Sequence, residues 1–274
     1  MIRTLIFTAT LVLWALPGSA EVSPRLQKMF SAIDLSGTID IMRQEGLDYG
    51  QSLRDEMFPN SGGSGWGRSV DKIYDDKWMS QIVQEGMAKS LTQGDIDPVI
   101  AFFETDLGAR IIRLELSARR ALFDKDVEEA SKQRFKDMAQ ELDPRVTLLE
   151  QFVEANNLID ENVAGAMNSN LAFYRGLRDG GAKGFDLGEA QMLEDVWSQE
   201  IQIRVDTSEW VYGYVSMAYT PLEDGDLQAY VDFSKTKPGQ ALNKALFGAF
   251  DTMFVEISYK LGKAAARYLS GEDI

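Results

Sequence analysis

The amino-acid sequence predicts an all-α fold in which two tandem helical units pack together as a bundle-like array. Three observations lead there. Apolar residues recur at three- and four-residue spacing along most of the chain, helix-capping patterns punctuate those stretches, and a set of short motifs occurs twice in the same order. The expected organisation is a signal peptide over residues 1–20, a first helical unit over 21–143 and a second over 144–274.

The first element is a leader. Arg3 provides the positive start and Leu5 to Leu16 the apolar run, and Pro17-Gly18-Ser19-Ala20 puts small residues where a signal peptidase reads, so cleavage is expected between Ala20 and Glu21. That run is shorter than the roughly 20 residues a spanning helix needs, and no later segment approaches that length. A twin-arginine pair is absent, which favours export unfolded and argues against a tightly bound cofactor. The chain is therefore expected in the periplasm or secreted, without a membrane span. It contains no cysteine, so neither a disulfide nor an N-terminal lipidated Cys is available. Its formal charge of −15 disfavours nucleic acid and anionic lipid, which both reward Lys and Arg.

The tandem organisation rests on matched blocks. Pro24, Arg25, Ile39 and Asp40 meet Pro144, Arg145, Ile159 and Asp160 at a shift of 120. Leu53-Arg54-Asp55 repeats as Leu177-Arg178-Asp179, and "GGSGW" (62–66) resembles "GGAKGF" (180–185). Asp76, Trp78 and Ile82 meet Asp195, Trp197 and Ile201 at a shift of 119, and Asp95, Phe102, Thr105 and Gly108 meet Asp226, Phe233, Thr236 and Gly239 at a shift of 131.

Periodicity supplies the helices. Trp78, Ile82, Met87 and Leu91 lie on one stripe, and Ile112, Leu116, Phe123, Val127, Ala130, Phe135, Met138 and Leu142 on another, stopped by Asp143-Pro144. Trp197, Ile201, Val205, Ser208, Tyr212, Val215 and Tyr219 predict one helix over 201–219, although the stretch also alternates. Leu242, Leu246, Ala249, Met253, Ile257, Leu261, Ala264 and Tyr268 predict a last helix ending near Gly271, and "PNSGGSGWG" (59–67) reads as the main loop. Thr220-Pro221-Leu222-Glu223 has the form of a capping box, with Thr92-Gln93-Gly94-Asp95 as its looser twin. Thr105 and Thr236 can each cap a following helix, which places Gly108 and Gly239 in a first turn just after a sharp corner. A residue without Cβ there lets the preceding helix approach closely; an anion site at the helix start is the rival reading, but neither corner has the glycine cluster and lysine of a P-loop.

"TQGDIDPVIAFFETDLGARI" (92–111) resembles the signature of exported bacterial proteins grouped as domain of unknown function 2059. Thr92, Asp95, Ile96, Phe102, Phe103, Thr105, Gly108 and Arg110 occupy the signature places, with Asp106 where that family favours Pro and Asp95 in place of Glu. "TPLEDGDLQAYVDFSKTKPGQAL" fits with three extra residues and its proline one place late. The resemblance extends over roughly 70–120 and 192–250. It implies an all-α exported domain and transfers no catalytic residue.

The absence of histidine and cysteine excludes Ser-His-Asp and Cys-His hydrolysis, zincin and structural zinc sites, histidine-ligated haem and iron–sulfur clusters in their ordinary forms. Ser234-Lys235-Thr236-Lys237 satisfies Ser-x-x-Lys but precedes a Thr-x-Pro-Gly corner and has no Ser-Asp-Asn or Lys-Thr-Gly partner. "GGSGWG" has neither nucleophile-elbow nor dinucleotide spacing and reads as a flexible loop with an aromatic anchor. Asp75/Asp76 and Glu194/Asp195 stand beside Trp78 and Trp197, a composition that would suit glycan cleavage. Neighbouring residues on a helix diverge, however, so the outer acids are expected in solvent and the tryptophans in the core. "DLSGTID" and "LEDGDL" have calcium-like composition without EF-hand spacing, and no metal or cofactor site is assigned. The leading functional expectation is a non-enzymatic binding or interaction module that engages a protein or small ligand in the groove between the units. A carboxylate-dependent cell-wall glycan hydrolase and a cation-binding or stress-responsive envelope protein are the alternatives.

Overall fold

Side-chain caps and short turns divide the chain into helices α1 (Pro24–Ala32), α2 (Leu35–Met57), α3 (Gly63–Ile73), α4 (Asp76–Ser90), α5 (Gln93–Phe103), α6 (Asp106–Ala121) and α7 (Lys125–Gln140). The remainder forms α8 (Arg145–Ala155), α9 (Leu158–Asp179), α10 (Glu189–Ser198), α11 (Glu200–Tyr219), α12 (Asp224–Lys235) and α13 (Lys237–Leu269). This computed structural model describes residues 23–59 and 63–269, and among them there is no strand. The leader with its Ala20–Glu21 junction, residues 60–62 and the expected helix end near Gly271 lie outside the described residues. No helix among those described is long and apolar enough to cross a membrane.

Two long helices form the spine. α13 runs along α9 and also packs on α3, α4, α5 and α12. A Cβ on Gly176 would overlap the Tyr259 carbonyl and one on Gly262 the Phe173 carbonyl, so α9 and α13 meet backbone to backbone at a crossing that any larger residue would pry apart. At the far end Tyr268 stacks on Phe58 at 5.4 Å and meets Trp66 edge-on at 5.6 Å. Trp66 is 1% exposed and donates its indole N–H to Gly50 O at 2.7 Å.

Several elements differ from expectation. Residues 63–67 are the first turn of α3 and not loop, because Trp66, Val70 and Ile73 bury one face of it. The stripe from Ile112 to Leu142 is two helices: Asp124 breaks it by accepting from Asp126 N–H at 2.9 Å, which starts α7. Phe123 is consequently exposed. Leu142 has φ +56° and is 85% exposed, serving as the left-handed residue that closes α7, with Asp143 N–H bonded to Met138 O at 2.9 Å. The helix expected over 201–219 is present as α11, but the stripe that leads into it from Trp197 is interrupted at Gln199, which separates α10 from α11. The caps are also reversed in quality. Asp95 Oδ2 accepts from Thr92 N–H at 2.9 Å, the reach-back arm of a capping box. Thr220 instead bonds back to Ser216 O at 2.7 Å, Leu222 is buried in the turn, and α12 begins after Glu223.

Two pairs of corners are alike. Between α1 and α2, Asp34 takes φ 43°; between α8 and α9, Asn157 takes φ 48°, and Asp and Asn are the side chains that best tolerate that region. These corners lie 123 positions apart, so the 120-residue shift suggested by Pro24 and Pro144 does not align them. Each first helix then packs on a corresponding later one, α1 on α5 and α8 on α12, with Arg25 paired to Asp97 and Arg145 to Asp224.

The second pair joins α5 to α6 and α12 to α13. Thr105 and Thr236 have φ/ψ of −70°/159° and −71°/159°. Thr105 Oγ1 accepts from Gly108 N–H at 3.0 Å and donates to Phe102 O at 2.7 Å. Thr236 Oγ1 accepts from Gly239 N–H at 3.1 Å and donates to Phe233 O at 2.6 Å. A Cβ on either glycine would overlap the carbonyl oxygen of the same phenylalanine, so both positions require glycine despite its cost of roughly 1 kcal/mol within a helix. The corners meet through Phe102 and Phe233, stacked at 4.0 Å and 9°.

Candidate functional site

The corner geometry determines what the following helices present. Seven and eleven residues beyond Gly108, α6 carries Glu115 and Arg119; at the same distances beyond Gly239, α13 carries Leu246 and Phe250. All four line one cavity of about 510 Å³. They also line an adjoining space of about 190 Å³ toward Ile33 and Thr38. α11 contributes Trp210, Tyr214 and Tyr219, α12 contributes Tyr230, and α9 closes the remaining side with Ala166 and its neighbours.

The aromatic wall continues from the corners. Tyr230 lies parallel to Phe102 at 5.8 Å and contacts Phe152 at 4.8 Å, and Phe152 meets Tyr219 edge-on at 5.1 Å. Trp210 stacks on Tyr214 at 5.3 Å and 10°.

Charge is unevenly placed within this wall. Arg119 makes a two-pronged pair with Glu45, Nε to Oε1 and a terminal nitrogen to Oε2, both 2.8 Å. Burial works against that guanidinium, but the Glu45 carboxylate outweighs it and holds the arginine above its ordinary value, firmly charged. Glu115 has no such partner. Its Oε1 accepts the Tyr219 hydroxyl at 2.7 Å and the Tyr230 hydroxyl at 3.0 Å, while Oε2 makes no hydrogen bond among the described residues. Burial raises the Glu115 carboxyl above its usual range, and the two phenols hold the rise back. Tyr214, Tyr219 and Tyr230 are pushed well above the ordinary phenol value by burial first and then by the Glu115 charge.

The residues singled out by sequence scatter relative to this cavity. Phe102, Phe233, Thr105, Gly108, Thr236 and Gly239 form the two corners and set the walls without lining them. Trp78 and Trp197 do not fill the core as expected. Trp78 is half-buried with Lys260 Nζ 3.8 Å above its ring, and Met79, Val83 and Met87 occupy the interior instead. Trp197 is 65% exposed and Ile201 76%, because the break at Gln199 places them on separate helices; Met192 and Val196 turn inward. Asp75 caps α4 by accepting from Trp78 N–H at 2.8 Å, and neither Asp75/Asp76 nor Glu194/Asp195 lines the cavity. In the two calcium-like stretches Asp34 caps α2 and Asp224 pairs with Arg145. Among the described residues no group of three acids is placed to hold a metal ion.

Glu115 and Arg119 were not identified by sequence. The available signal is a glutamate set between Leu114 and Leu116 with an arginine four positions on, but the same pattern occurs on solvated helix faces.

A family model described as an uncharacterized protein conserved in bacteria (DUF2059) matches residues 77–137. The match runs from α4 into α7 and includes the first Thr–Gly corner, Glu115 and Arg119, and it agrees with the resemblance noted at 92–111. No curated protein and no solved structure matches the chain.

Proposed function

We propose that the chain is an exported, non-catalytic binding protein whose central cavity receives a small, largely apolar ligand. The observation that carries this reading is the cavity of about 510 Å³, walled by aromatic side chains of α8, α11, α12 and α13. That volume lies within the range of small-molecule sites, which are mostly apolar with a few placed polar groups. Export is supported by the charged, apolar and small-residue regions of residues 1–20. An origin by duplication is supported by the paired corners: Asp34 with Asn157, Gly108 with Gly239, and cavity-lining residues at equal distances beyond the two glycines. On this reading the pocket arose where the two units meet, and its walls then diverged.

The test is titration with N-phenyl-1-naphthylamine, a neutral apolar fluorophore. Saturable binding of one probe per chain is expected, abolished by Ala166→Trp, which fills the α9 side of the cavity, with an unchanged melting temperature. Absence of saturable binding, or binding indifferent to Ala166→Trp, would overturn the reading. Export is tested separately by sequencing the N-terminus of the periplasmic or secreted form, expected at Glu21.

A further inference from the structure

We infer that the ligand is an organic cation: an amine or quaternary ammonium group seated at Glu115, with an apolar body lying against Phe250 and Trp210. This rests on the cavity being a binding site and adds the chemical class.

The first argument is charge balance. Among the described residues three carboxylates line the cavity, those of Glu115, Glu161 and Asp251, against the guanidinium of Arg119 and no lysine. Arg119 is already paired with the Glu45 carboxylate through Nε and Nη2, so its charge is largely offset and it offers an anionic ligand little net attraction. Glu115 is the reverse case. It receives hydrogen bonds from two phenols on Oε1, and among the described residues Oε2 has no hydrogen-bond partner and the carboxylate no ion pair. A carboxylate in apolar surroundings without a counter-charge is unfavourable, and a ligand cation supplies what is missing.

The second argument is the wall itself. Tyr219 and Tyr230 bond the carboxylate, Trp210 and Tyr214 line the same cavity, and faces of tryptophan and tyrosine attract cations with about 0.5–2 kcal/mol each. Leu246 and Phe250 stand on α13 at the places where α6 has Glu115 and Arg119, so the cavity offers apolar surface as well as the Glu115 carboxylate. A ligand complementary to both carries its charge at one end.

A matched series decides the matter by calorimetry: 3-phenylpropylamine, protonated at neutral pH, against 3-phenylpropan-1-ol and 3-phenylpropionate, which share its apolar body. The amine is expected to bind at least roughly ten-fold more tightly than either, a preference worth about 1.4 kcal/mol. Glu115→Gln keeps an acceptor for both phenols and is expected to bring the amine to the affinity of the alcohol; Glu115→Asp retains part of the preference. If the alcohol or the acid binds the unmodified protein as tightly as the amine, or Glu115→Gln leaves the preference intact, the cation assignment falls while the cavity reading stands. If none of the three binds, and the neutral fluorophore does not either, both fall. The comparison on the unmodified chain is decisive whether or not the variants fold.

Discussion

α6 and α13 leave their corners in the same way and part company within two turns. Both start with a threonine cap, both place a glycine against the carbonyl of a phenylalanine, and those two phenylalanines stack on each other. Seven and eleven residues on, α6 presents Glu115 and Arg119 where α13 presents Leu246 and Phe250, across the same cavity. The start of each helix is governed by backbone geometry, which admits very few residues. Beyond it the side chains face a space that packing does not fill, and there the two helices carry different chemistry. The part the two helices share is architecture; the part in which they differ lines the cavity proposed to receive a ligand.

The strongest way to break this comparison is to put a Cβ at the corners. Gly108→Ala and Gly239→Ala gain helix propensity yet are each expected to destabilise the protein by about 2–3 kcal/mol, because the added atom meets main chain and not a movable side-chain end. Denaturant unfolding measures this. If either variant is neutral, the corner needs no glycine and the likeness of the two helices is incidental.

A smaller effect sharpens the contrast at the cavity. Glu115→Gln removes a carboxylate that burial disfavours, so at neutral pH the variant is expected to melt above the parent, by less than the corner changes cost. The sign follows from the raised native value. The unfolded chain holds its proton less tightly than the folded one, so the penalty on the parent is present above the native value and disappears as pH falls to the ordinary carboxylate range. The gap between the two melting curves should close in that direction; a gap that widens on acidification would contradict the burial argument.

These sites also mark what could be read in the sequence. The corners were legible because Thr-x-x-Gly after an aromatic states a backbone requirement, and the same holds for the long stripe of α13, from Leu242 to Tyr268. The cavity was not legible. Whether Glu115 faces solvent or a hollow depends on what α11 and α12 leave unfilled, and helical spacing alone does not contain that. Trp197 failed for a related reason: its spacing to Ile201 implied one helix face, but the break at Gln199 removes the face. The 120-residue shift missed the αL corners because Asp34 and Asn157 share a conformation and not a residue type.

Two further outcomes are smaller still. Leu142 is exposed and left-handed, so Leu142→Gly is expected to stabilise by about 1 kcal/mol, read in a thermal melt. A loss would mean that its side chain matters despite that exposure. Trp197→Ala is expected to change stability by no more than about 0.5 kcal/mol and to leave probe binding intact. Loss of probe binding there would move the ligand site to the exposed stripe on α10 and α11.

The central claim is that the hollow between α6 and α13 is the binding site, and a crystal structure grown with N-phenyl-1-naphthylamine tests it most directly. The account predicts density for one probe enclosed by Trp210, Phe250 and Glu115, with the Glu45–Arg119 pair intact. An empty cavity with the probe lying against Trp197 and Ile201 would contradict it.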